Sequence, residues 1–72
     1  MNSPAKRALY DNLNKDEALA PRIDDAIRKT KKDGWRGNKI KEREVKNAIK
    51  QHIHSLEDLE RIFEIVKSQS EY

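Results

Sequence analysis

Asp33-Gly34-Trp35-Arg36-Gly37 is the stretch on which the fold turns. It gathers both glycines and the only tryptophan of a 72-residue chain into positions 34–37. Glycine reaches φ > 0 without steric cost, so Gly34 is expected to close the helix before it and Gly37 to reverse the chain before the next. Trp35 carries a large apolar ring with one polar N–H. Two roles fit it: a plug for the end of a small bundle, or, with Arg36 beside it on a fixed loop, an anchor for a partner. The plug is favoured, because so small a chain is short of aromatic residues.

Working outward, the flanks read as amphipathic helix. Ser3-Pro4 is a helix start, a serine cap followed by proline at the first helical position. Ala5, Ala8, Leu9 and Leu13 then recur at helical spacing. Asn14 breaks the run and offers the next cap, with Glu17 as its capping-box partner. Leu19, Ile23, Ala26, Ile27 and Thr30 form the buried stripe of a second helix. Pro21 within it implies a kink, or a start near Ala20. Beyond the corner, Asn38 caps a third helix running to about Ile53, with Ile40, Val45, Ala48, Ile49 and Ile53 as its apolar set. Ser55 and Asp58 open a fourth, whose Leu56, Leu59, Ile62, Phe63 and Val66 span roughly 120° of the helical wheel. Residues 68–72 are expected to fray unless Tyr72 packs. The fold class is all-α: one domain over residues 1–72, a small bundle of about four helices with the Gly-Trp-Arg-Gly corner between the second and third.

Composition narrows the function classes. There is no cysteine, hence no disulfide framework, thiolate metal site or thiol nucleophile. Apolar runs of two or three residues are too short for a membrane span, and Met1-Asn2-Ser3-Pro4 lacks the apolar core of a signal peptide. A soluble, cytoplasmic chain is expected. The Met1 start is compatible with an excised domain, a gene remnant or an independent small protein. The net charge of +3 hides an asymmetry: residues 28–50 hold ten lysines and arginines against Asp33, Glu42 and Glu44, while the remainder holds six against ten acids. A basic middle between acidic ends points to an anionic partner or to a solvated lysine surface.

On the third helix Lys39, Arg43, Lys46 and Lys50 lie within about 60° of one another at 100° per residue. Such a row can track phosphates; it holds no Asn or Gln for reading adenine, although Arg43 can read guanine, and a plain solvated lysine face is the commoner explanation. His52 and His54, two apart, have no third ligand near them in sequence, so no metal or cofactor is expected. Asp24-Asp25 and Glu57-Asp58 read as outward helix charges, and no residue set suggests catalysis.

Several strings stand together: Arg7-Ala8-Leu9-Tyr10-Asp11-Asn12-Leu13, Arg28 to Asn38 through the corner, Lys41-Glu42-Arg43-Glu44-Val45-Lys46-Asn47-Ala48-Ile49, Arg61-Ile62-Phe63-Glu64-Ile65-Val66-Lys67, and a terminal Glu71-Tyr72. From about residue 7 onward the chain resembles the extreme C-terminal helical region of the restriction (motor, R) subunit of type I restriction–modification enzymes. Pro21 departs from that pattern, where a helix-compatible residue is usual. The nuclease and ATPase domains of such subunits have no counterpart here. The resemblance therefore implies a non-catalytic docking domain whose partners are the modification and specificity subunits, with the DNA backbone nearby. Trp35 and Arg36 are then the candidate partner-binding residues, and Lys39, Arg43, Lys46 and Lys50 the candidate nucleic-acid-binding ones. The alternative is an autonomous small DNA-binding or regulatory module using the same basic row.

Overall fold

Ser3 starts the first helix as its sequence dictates. In the computed structural model, which describes residues 3–72, its backbone is extended and its hydroxyl accepts the Lys6 N–H at 3.2 Å, with Pro4 in the first turn of α1 (Pro4–Asn12). The reading of the Met1-Asn2 start lies outside the described residues. α1 stops where Asn14 (φ 56°) and Lys15 (φ 57°) enter the left-handed region. The cap expected from Asn14 and Glu17 therefore does not form, because Asn14 serves to end α1. Asp16 caps α2 (Leu19–Thr30) instead, its Oδ1 accepting the N–H groups of Ala18 and Leu19 at 2.9 and 2.8 Å. Pro21 falls in the first turn of α2, where N–H groups lack intrahelical partners anyway. The helix thus begins near Ala20, the second of the two outcomes its sequence allowed.

α2 ends at Thr30, and Lys31 is already extended (ψ 146°), so Gly34 does not close this helix. The two glycines build tandem turns instead. Trp35 N–H donates to Lys32 O at 3.1 Å and Asn38 N–H to Trp35 O at 3.2 Å. Gly34 (φ 73°) and Gly37 (φ 84°) occupy the third position of each, the type II arrangement that demands φ > 0 there. A Cβ at Gly37 would meet nothing within 4 Å. Gly37→Ala should accordingly cost only the left-handed backbone term, about 1–2 kcal/mol. It should lower the urea midpoint with an unchanged slope; an unmoved midpoint would refute the turn assignment.

α3 (Lys39–Lys50) is capped by Asn38, whose Oδ1 accepts from Ile40 and Lys41 N–H, both at 3.1 Å. It ends three residues short of the expected Ile53. α4 (Leu56–Ser68) follows, with Ser55 Oγ accepting the Asp58 N–H at 3.4 Å. The helices close a ring: α1 packs on α2 and α4, and α3 packs on α2 and α4. Ala5, Leu9, Ile23, Ile27, Val45, Ile49, Ile62 and Val66 are fully buried at its centre, joined by Trp35 from the corner and Tyr72 from the tail. The four-helix, all-α fold is as expected.

Two expected core residues are outside it. Ile40 is 73% and Leu56 71% exposed. Nine residues before Ile49, Ile40 sits half a turn opposite it on the wheel. Leu56 is the first residue of α4, at the edge of its stripe. The tail, conversely, does not fray: Tyr72 is buried and its N–H bonds Gln69 O at 3.3 Å.

Candidate nucleic-acid interface

The corner resolves inward. Trp35 is 3% exposed, and its ring meets Phe63 of α4 in a tilted pair with centroids 6.3 Å apart. It plugs the bundle and offers no ring to a partner, which corrects its candidacy as an exposed anchor. Arg36 is likewise engaged. Its guanidinium lies 5.1 Å from the Trp35 ring centroid, Nε donates to Lys67 O at 3.0 Å, and the terminal nitrogen reaches Gln69 O. These carbonyls lie at the end of α4, where an α-helix leaves its acceptors unsatisfied and partially negative. The corner therefore locks α2–α3 onto the C-terminus of α4. Burial leaves Trp35 Nε1 without a hydrogen-bond partner among the described residues.

The basic row divides. Lys39, Arg43 and Lys50 are exposed on α3 and form no ion pair among the described residues. Lys46 differs: its side chain is 31% exposed, its ammonium pairs with Glu60 of α4, and it lies 5.5 Å from the Phe63 ring centroid. It belongs to the α3–α4 seam, because the residue 20° from Lys39 on the α4 side is drawn to the acid opposite. The acids of α3 are also turned aside. Glu42 accepts the Gly37 N–H and lies 3.7 Å from Lys67 Nζ, while Glu44 faces Lys32 at 4.0 Å. Among the described residues, the outer face of α3 thereby keeps three free cations. Asn47 stands exposed among them, with no side-chain hydrogen bond among the described residues. Its position on the wheel was legible, but a lone asparagine in a lysine-rich helix carries no signal until its neighbours are placed.

The main polar cluster lies where the sequence suggested none. Asp24, expected to point outward, is 4% exposed and accepts the Tyr72 hydroxyl and the Arg28 Nε, the latter at 3.0 and 3.1 Å. Asp25 does face out, pairing with Lys29 at 2.8 Å. Glu71 continues the network: it accepts Ser3 Oγ at 2.7 Å, Ala5 N–H at 2.9 Å and Arg28 at 3.0 Å. The hydrogen bonds from Ser3, Ala5 and Arg28 hold the Glu71 carboxyl below the usual carboxylate range. Burial, then the bond to Asp24, pushes the Tyr72 phenol well above its ordinary value. The cluster is buried at Asp24 and Tyr72 and open to solvent at Arg28 and Glu71, and it ties the start of α1 and the Glu71-Tyr72 tail to α2.

His52 and His54 rim an open groove of about 460 Å³ between the α1–α2 and α3–α4 links, over Leu13, Leu19 and Ile53. Among the described residues no three His, Cys, Asp or Glu side chains gather as a metal site would require. No helix among them is long and apolar enough to cross a membrane. Comparison of the chain with protein-family models, curated proteins and solved structures finds no match.

Proposed function

We propose that this chain is a non-catalytic helical assembly module that meets duplex DNA through the outer face of α3. The observation that carries it is the set of unpaired cations on that face, Lys39, Arg43 and Lys50, left free while Glu42, Glu44 and Lys46 lie beside Lys67, Lys32 and Glu60 among the described residues. Three phosphate contacts predict a log–log salt slope of about −2.7, hence a loss of roughly 40-fold between about 50 and 200 mM salt. Fluorescence anisotropy with a labelled duplex checks this. Replacing Lys39, Arg43 and Lys50 with glutamine should abolish binding and the salt dependence together. Lys46→Gln alone should change affinity little, because Glu60 already holds that ammonium. A triple variant that binds like the parent sinks the proposal.

Docking onto the methyltransferase core of a type I restriction enzyme is the second reading, implied by the resemblance of the sequence to the C-terminal regions of motor subunits. Leu56, 71% exposed and next to Ser55 on the groove rim, favours it. A module of that kind is nearly inert toward DNA alone and is retained by immobilised modification and specificity subunits. Failure of both retention and DNA binding would remove both readings.

A further inference from the structure

The outer face of α3 holds more than phosphate contacts. Ile40, Arg43, Asn47 and Lys50 recur at i, i+3, i+7 and i+10, and all four lie within about 80° of the helical wheel. All are exposed, Ile40 at 73%. None is used by the bundle: Ile40 has no place in the core, and the Asn47 amide has no internal hydrogen bond among the described residues. An exposed isoleucine and a free amide in line with an unpaired arginine form a mixed apolar, amide and guanidinium row that the bundle itself does not use.

Resting on the DNA reading above, we infer that α3 reads base edges in the major groove, Arg43 contacting guanine, Asn47 adenine and Ile40 a thymine methyl. The chemistry matches at each position. A guanidinium donates two hydrogen bonds to the two acceptors of guanine, a carboxamide pairs with the donor and acceptor of adenine, and an aliphatic side chain packs on the thymine methyl. Arg43 and Asn47 are about 6 Å apart along the helix axis, so they address base pairs one or two steps apart. Lys39 and Lys50, at the two ends of α3, are placed for the flanking phosphates; with Arg43 on a base edge instead of a phosphate, the salt slope on the selected duplex falls from about −2.7 to about −1.8. The composition of the face favours DNA over an acidic protein surface. Protein interfaces enrich aromatic residues and deplete lysine, whereas this face has two free lysines and its bordering aromatic, Phe63, is only 6% exposed.

The test is selection of the full chain on a randomised duplex library at low salt, followed by anisotropy on the selected and on a scrambled duplex. Enrichment of a short motif containing guanine and adenine is expected. Asn47→Ala should cut the preference for the motif by about tenfold or more and relax one position, and Arg43→Ala should relax another. Lys50→Gln should weaken selected and scrambled duplexes alike. Asn47 and Arg43 are exposed, so both variants should keep the parent's circular dichroism; Asn47→Gln is a second, more conservative probe of the same position. A library that stays random while salt-dependent binding persists overturns base reading and leaves the DNA-backbone reading standing. Equal displacement of the selected duplex by poly-glutamate and by unlabelled selected duplex overturns it too, marking a face for any polyanion. No binding at low salt overturns both readings at once.

Discussion

Trp35→Ala should cost about 3–5 kcal/mol of stability, as removal of a buried tryptophan ring does. A 72-residue domain holds on the order of 4–11 kcal/mol in total, so much of the chain should be unfolded near 37 °C. The ring is central because it bridges the α2–α3 corner and α4: it packs on Phe63, and the Arg36 guanidinium lies 5.1 Å from its centroid. Its loss frees Arg36 as well, and with it the cap on the carbonyls of Lys67 and Gln69. Trp35→Phe separates volume from polarity. It keeps most of the ring and removes an indole N–H that is buried without a partner, a burden of about 1–3 kcal/mol. Phenylalanine should therefore be far milder than alanine, by urea titration followed in the far ultraviolet. A Trp35→Ala protein as stable as its parent would return the ring to the surface and refute the plug.

Tyr72→Phe should lower stability by about 1.5–3 kcal/mol, the range for a hydrogen bond to a charged group. That corresponds to a melting temperature lower by on the order of 10 °C in a domain of this size. The tyrosine hydroxyl donates to a carboxylate that is 4% exposed, and phenylalanine keeps the ring while leaving Asp24 to Arg28 alone. Asp24→Ala should do at least as much harm, since it strands the buried phenol and leaves Arg28 paired with Glu71 alone. The same network sets the pH limits. The phenol is raised in the folded state, so its contribution is complete below its unfolded value near 10 and fades as pH climbs above that. The Glu71 carboxyl is lowered, so its contribution is present above its unfolded value of 4.5 and is lost as pH falls below that. Thermal melts across pH should show both limbs; Tyr72→Phe should flatten the alkaline one and Glu71→Gln the acid one. An alkaline limb undiminished in Tyr72→Phe would show that the hydroxyl is not in this network.

The proposed interface was partly legible. Lys39, Arg43 and Lys50 are where the wheel places them, since an exposed side of an isolated helix is fixed by its own periodicity. Lys46 was not, because Glu60 lies fourteen residues away and the pairing exists only once α3 and α4 pack. Asp24 shows the same limit more sharply. Beside Asp25 on one helix it reads as a solvated charge, and only the return of Tyr72 to α2 turns it into a buried acceptor.

Legible from the chain alone were the four helices, the caps at Ser3, Asn38 and Ser55, the chain reversal at Gly37 and most of the apolar stripe. These depend on local conformational preference and on contacts within a few residues. The tertiary structure alone decided that Trp35 faces inward, that Arg36 caps α4, that Ile40 and Asn47 are left on an open face, and that Glu71-Tyr72 clasps Ser3, Asp24 and Arg28. Each of these depends on which side of a helix finds a neighbour, and residues 31 to 68 positions apart meet only when the ring of helices closes.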